Sequence, residues 1–392
     1  MHANYYNRRR STGLSLIEVM IALVIGVVLL TGIMQIFGST QLAFSTAEGA
    51  SRVQENARFA FDMLRNDVRM SAHVGCRSER HYSSANEALF NHAANPSTNF
   101  AAAPFALRVD MAMEAFEFAG SGPGEVVDLS GGVSAGVGAG SFTPPLPAAL
   151  ADVTGDAIRG SDIIVLRYLS SENVRSVLPN VAANTMTVQN PLDVAFFRRG
   201  DVYGVSNCKS LSLVQALSDG PLVAVGSGGV NAVNWIAEED GYAPPGTSVH
   251  RYEYVVYYVG IDAASGEPSL IMRRLDASRA NLVSGPQSVV EGVESMQLVF
   301  GTDVGAARDD VVDRYFTAAG VPGLAPNPRD AWSRALSVRV GLLMRSTNTA
   351  GALRDDTSPP IRVADTVFRV ADDRRVRQAF ETSITMRNRV RN

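Results

Sequence analysis

Arg8-Arg9-Arg10-Ser11-Thr12-Gly13-Leu14-Ser15-Leu16-Ile17-Glu18 runs without a break into an apolar stretch that reaches Phe37. A basic leader ends in Gly13, an apolar helix begins, and one acid sits at its fifth position. Between Leu14 and Gly38 that acid, Glu18, is the only charged residue. About 20 mostly apolar residues suffice to span a bilayer, so the run is long enough for one crossing. A carboxylate inside such a span is costly, and by default marks a function rather than an anchor.

Working outward, Arg8, Arg9 and Arg10 precede the span and no acid occurs in residues 1–13. The positive-inside rule therefore keeps the N-terminus cytoplasmic and translocates the chain beyond about residue 38. A cleaved secretory signal would need a small-x-small site at the end of the run, and Ala43-Phe44-Ser45 fits that pattern poorly. Downstream, Val53, Ala57, Phe61, Leu64, Val68 and Ser71 recur at helical spacing between Arg52, Glu55, Arg58, Asp62, Arg65 and Arg69. No proline occurs before residue 96. The spacing predicts one helix from about 14 to 72, capped by Ser11 or Thr12, ending at Gly75 and laying this stripe on a globular domain.

The 392 residues carry a net charge of −4 and are 46% hydrophobic. That is enough apolar material for a real core, and the acidic balance argues against an electrostatic nucleic-acid binder. Lys209 is the only lysine, which reads as codon bias. Residues 77–105 read as irregular, and the Gly-rich 119–161 as loop. Strands are expected at 162–169, 200–206, 290–300, 335–345, 367–370 and 375–384, with a hairpin from 251–259 and 269–275. A short helix is expected near Asp330–Ala335. The connections look like turns, so the sheet should be mainly antiparallel. The expected class is α+β: a long N-terminal helix, membrane-spanning in its first half, packed on a β-rich domain. The expected divisions are a leader at 1–13, a membrane helix at 14–38, its amphipathic continuation at 39–75 and an exported domain at 76–392.

Signals for catalysis are poor. Gly132-Val133-Ser134-Ala135-Gly136 matches the nucleophile-elbow pattern but lacks the flanking strand and helix that pattern needs. His2, His73, His81, His92 and His250 show no metal-ligand spacing, and His73 reads as a partner for a helix dipole. Asp303, Asp309, Asp310 and Asp313 depart from the EF-hand order and read as a solvated loop rather than a calcium site. Seven arginines between Arg369 and Arg391 read as a solvated strand face. No metal or cofactor is expected. Cys76 and Cys208 are the only cysteines; in an exported domain they would form one disulfide closing a loop of more than 100 residues, the alternative being two separate buried thiols.

Gly13-Leu14-Ser15-Leu16-Ile17-Glu18 resembles the class III signal of type IV pilins and type II secretion pseudopilins. The resemblance implies cleavage after Gly13 by a prepilin peptidase and N-methylation of Leu14, although Leu14 stands where Phe is usual. Three further stretches are similar to the PilW family of minor pilins. They are Arg58-Phe59-Ala60 through Gly75-Cys76, Gly160-Ser161-Asp162 with Gly200-Asp201 leading to Cys208, and Asp373 through Arg389. The implied fold is pilin-like. The implied role is non-enzymatic: priming type IV pilus assembly with other minor pilins and the major pilin, sitting at the tip, and supporting display of a PilY-type adhesin. The implied location is the inner membrane, then the pilus on the cell surface. The α-amine created at Leu14 is a candidate partner for Glu18, which would set axial register. Two other readings stand beside this one: a minor pseudopilin of a type II secretion system, related to GspJ, and a membrane-tethered periplasmic enzyme or binding protein.

Overall fold

Helix α1, Leu16–Met70, is continuous over 55 residues, a length of about 80 Å at the α-helical rise. It contains no proline, and its only glycines before the packed region face open space. The computed structural model describes residues 13, 15–76, 88–236, 242, 246–305, 308–349 and 359–389. The expected cap residues Ser11 and Thr12 lie outside this set. Ser15 caps the helix instead. At the far end Ala72, with φ 65°, takes the left-handed position that the sequence reading gave to Gly75. Gly75 serves a different need. Its φ is 94°, and a Cβ there would collide with the Ser206 side chain.

The strands form a large sheet and three smaller ones. The nine-stranded sheet runs in the order Ala88–Asn91, Ser210–Gln215, Val202–Ser206, Ser248–Ile261, Ile163–Val174, Met113–Phe118 and Phe142–Thr143. Its longest strand, Ser248–Ile261, also pairs along its second half with Pro268–Arg274, which in turn pairs with Gln287–Glu291. This is the expected hairpin, in antiparallel register with Val259 opposite Leu270. A four-stranded antiparallel sheet follows, in the order Arg314–Thr317, Val293–Thr302, Ala335–Arg345 and Arg377–Thr385. Two small sheets complete the domain: Leu222–Ala224 with Thr185–Val188 and Val177–Asn180, and Ile361–Val363 with Thr366–Val370 and Val126–Leu129.

The α+β reading holds, with a mainly antiparallel domain. The two parallel pairings, Ala88–Asn91 with Ser210–Gln215 and Thr366–Val370 with Val126–Leu129, join segments distant in sequence. Three expectations are corrected. The strand expected at 290–300 is two strands, broken at Gly292, where φ is 82° and a Cβ would collide with the Arg345 carbonyl. The chain changes sheets at this point. The Gly-rich stretch 119–161 is not wholly loop, because Val126–Leu129 and Phe142–Thr143 are paired strands. Within the irregular stretch 77–105, Ala88–Asn91 is likewise a strand, while 77–87 lie outside the described residues. The expected short helix is present as Pro328–Trp332.

The large sheet is buried on both faces. Along Ile163–Val174, Ile164, Leu166 and Tyr168 join one core and Ile163, Val165 and Leu169 another. A strand covered on both sides needs apolar residues at successive positions, which is why this run reads as nearly continuous. The first core is the one α1 completes. Val53, Ala57, Phe61, Leu64 and Val68 share it with Val255, Tyr257, Met296, Leu342 and other residues of both main sheets.

Candidate functional site

Gly13 and the start of α1 form the first part of the site. The Ser15 side-chain oxygen accepts from the Glu18 backbone N–H at 3.3 Å, and a Glu18 carboxylate oxygen accepts from the Ser15 N–H at 3.4 Å. This is a reciprocal capping box, which satisfies two backbone donors that a helix start leaves open and places a negative charge at the positive end of the helix dipole. The S-x-x-E spacing ahead of an apolar run carries this signal in the sequence. A Cβ added at Gly13 would meet nothing within 4 Å, so internal packing does not account for the glycine. Leu14 lies outside the described residues.

From Leu16 to Glu48 no residue of α1 is buried. Leu23 is 64% exposed, Val28 66% and Phe37 65%. The hydroxyls on this half are turned inward onto the helix: Thr31 donates to the Val27 carbonyl, Thr40 to Ile36 and Thr46 to Leu42, each at 2.8 Å. Such back-bonding leaves few polar groups asking for water. Leu16–Met70 holds the one helix among the described residues that is long and apolar enough to cross a membrane. A surface of this kind is suited to lipid or to other apolar helices, not to solvent.

The second part of the site is the joint between α1 and the sheets. Asp67 is buried within the apolar stripe and accepts from the Tyr168 hydroxyl at 2.9 Å and the Tyr257 hydroxyl at 2.7 Å. Burial, and next the Asp67 charge, push both phenols above their ordinary range. The two hydroxyls therefore stay protonated and act as donors, which a buried carboxylate requires. The sequence alone does not mark Asp67, since one acid in a helix gives no sign of the partners that the fold brings to it. Cys76 and Cys208 are joined, with their Cα atoms 5.1 Å apart. This disulfide, of the two options the sequence left open, ties the chain just after α1 to the turn between Val202–Ser206 and Ser210–Gln215.

The other flagged residues take structural places. His73 is not a dipole partner for α1: its Nδ1 donates to the Leu169 carbonyl at 2.7 Å. Ala135, beside Ser134, bridges to Ile158 in extended backbone, so no elbow forms. Asp303 is buried rather than solvated and accepts from the Gly305 and Asp310 N–H groups, while Asp313 accepts from Val304 and Gly305. The arginine-rich tail is only partly a solvated face. Arg377 pairs with Glu294 at 2.7 Å and Asp373 at 2.6 Å, Arg375 pairs with Glu267 at 3.1 Å, and buried Arg389 donates to the Trp332 and Ala335 carbonyls. Arg369, Arg374 and Arg387 are exposed, and Arg391 lies outside the described residues.

Comparison with known families picks out the two ends of the chain. Residues 8–34 match the prokaryotic N-terminal methylation motif. Residues 256–388, which include the four-stranded sheet and most of the arginine-rich tail, match the family described as type IV pilus-assembly protein W. No curated protein and no solved structure matches the chain.

Proposed function

We propose that this chain, a PilW-type pilin by its two family matches, works as a minor pilin that primes type IV pilus assembly and sits in the tip complex. The observation that carries this reading is the exposed apolar half of α1, directly behind Gly13 and the Ser15–Glu18 box. In this reading residues 1–13 are a cytoplasmic leader that prepilin peptidase removes, and Leu14 becomes the methylated terminus. The helix first anchors the chain in the inner membrane with the globular domain in the periplasm, then passes into the filament core. No net loss of apolar burial accompanies that transfer, because lipid tails and neighbouring helices are both apolar. The globular domain supplies surface rather than catalysis, toward other minor pilins, the major pilin and a PilY-type adhesin.

Glu18 has a defined part in this scheme. A carboxylate in a dry helix bundle needs a positive or hydrogen-bonding partner. Its side chain already reaches back to the Ser15 N–H, one residue from the amine that cleavage would create at Leu14. Pairing with that amine, in the same or the next subunit, favours one axial register. Glu18→Gln keeps the size and the hydrogen-bonding capacity but removes the charge. The expected outcome is normal accumulation in the membrane with loss of minor-pilin complexes and a severe drop in surface pili, scored by co-purification and by shearing. Unchanged complexes and piliation in Glu18→Gln would refute the role given to the charge.

A further inference from the structure

Beside the disulfide, the end of α1 and the two longest strands leave a cleft of about 390 Å³, lined by His73, Ser171, Asn173, Arg175, Ser248 and His250 together with Cys76 and Cys208. Every side chain named is a hydrogen-bond donor, a cation or a group that becomes one, apart from the disulfide itself. No carboxylate lines the cleft among the described residues. Glu172, Lys209 and Arg251, the nearest charges along the bordering segments, do not line it, and Arg251 is turned to Asp201 at 3.6 Å. Arg175 makes no ion pair among the described residues.

The two imidazoles are held in one orientation. His73 Nδ1 donates to the Leu169 carbonyl at 2.7 Å, and His250 Nδ1 donates to the next carbonyl, Ser170, at 2.9 Å. In the neutral rings both Nε2 atoms are thereby the nitrogens without a hydrogen. His250 Nε2 is met by the Ser248 hydroxyl at 2.9 Å, whereas His73 Nε2 has no hydrogen-bond partner among the described residues. The ring centroids are 5.5 Å apart. Burial first, then the positive charge of His73 and Arg175, holds His250 below the ordinary imidazole range. Positive potential without a counter-charge is the electrostatic form of an anion site, where a bound oxyanion would draw charge-assisted hydrogen bonds from Arg175 and from a protonated His73.

We propose that this cleft binds a small oxyanion, a carboxylate or a tetrahedral phosphate-type group, through Arg175 and the Nε2 atom of His73, with Ser171, Asn173 and Ser248 as neutral polar neighbours. The site does not depend on the assembly role proposed above. Because an oxyanion favours the charged imidazole, lower pH tightens its binding.

Calorimetric titration of the full chain in detergent micelles with sulfate and, separately, with acetate tests this. Sulfate keeps its charge from pH 7.5 to 5.5, so any pH effect belongs to the protein. Saturable binding is expected, about tenfold tighter at pH 5.5, a change of about 1.4 kcal/mol. Arg175→Gln should weaken it about tenfold at either pH. His73→Gln should retain the pH 7.5 affinity and lose most of the gain at pH 5.5. An unchanged unfolding temperature in each variant shows that the fold is intact. Preference for sulfate assigns the site to a phosphate-type group, and preference for acetate assigns it to a carboxylate such as a neighbouring protein's acidic side chain. Absence of saturable binding by both anions, or sulfate affinity indifferent to Arg175→Gln, overturns the proposal.

Discussion

The two halves of α1 share one backbone geometry and have opposite relations to their own chain. Between Leu16 and Glu48 the helix is mostly apolar, and none of it is buried. Between Gly49 and Met70 polar residues are as numerous as the rest, yet Val53, Ala57, Leu64 and Val68 are each at most 1% exposed. Total hydrophobicity thus runs opposite to burial within the molecule. What decides burial is whether the apolar residues are confined to one face that a sheet of the same chain can cover. A helix apolar all round cannot be satisfied by one sheet, and finds its environment outside the chain, in lipid or among other helices. The polar groups follow the same division. Thr31 and Thr40 turn back onto their own helix, whereas Asp67 is satisfied by tyrosines more than 100 residues away in sequence.

The comparison breaks most readily by truncating one residue in each half. Leu64→Ala should destabilise the globular domain by about 2–5 kcal/mol, the range for a buried leucine whose site cannot collapse. Leu23→Ala should leave that unfolding transition within about 0.5 kcal/mol of the wild type. Denaturant unfolding followed by tyrosine fluorescence reads both. Equal effects would mean that the first half is part of the same cooperative core.

A smaller effect sharpens the comparison through pH. The exposed half contains only two titratable groups, the carboxylates Glu18 and Glu48, so acid should act chiefly on the packed region, and His92 is a named point of action. His92 is fully buried; its Nδ1 donates to the Leu213 carbonyl at 3.0 Å and its Nε2 accepts from the Ile236 N–H at 2.8 Å. A second proton would set two donors against each other. Burial lowers this imidazole to about 4 from an ordinary 6.5. The folded pKa lies below the unfolded one, so the contribution is complete above pH about 6.5 and is lost as pH falls toward about 4. At most it is on the order of 3 kcal/mol. The stability of His92→Gln should therefore fall less steeply than the wild type's between pH 6.5 and 4.5, and parallel slopes would contradict the assignment.

Much of this was legible in the residues, for identifiable reasons. The apolar run, the stripe from Val53 to Val68, the hairpin and the strand Ala335–Arg345 all carry a local period, and each formed as that period requires. What escaped depends on distant partners. Val126–Leu129, set in a glycine-rich stretch, is a strand because Thr366–Val370 lies beside it, a partner distant in sequence. The small sheet of Val177–Asn180, Thr185–Val188 and Leu222–Ala224 went unread for the same reason. The arginines at 375 and 377 looked solvated because their partners are distant in sequence, Glu294 on the strand Val293–Thr302 and Glu267 just ahead of Pro268–Arg274. At the functional end, Gly13 and Glu18 were readable because their meaning lies in order and spacing alone. Asp67 and the His73–His250 cleft were not, since each is assembled by the fold.

The central claim is that the unburied half of α1 is a processed assembly element. Mass spectrometry of the protein's N-terminus in sheared pili tests it most directly. The account predicts a chain that begins at Leu14 and carries one methyl group on its terminal nitrogen. A chain that retains Met1 through Gly13, or that is absent from pili while abundant in the membrane, would contradict it.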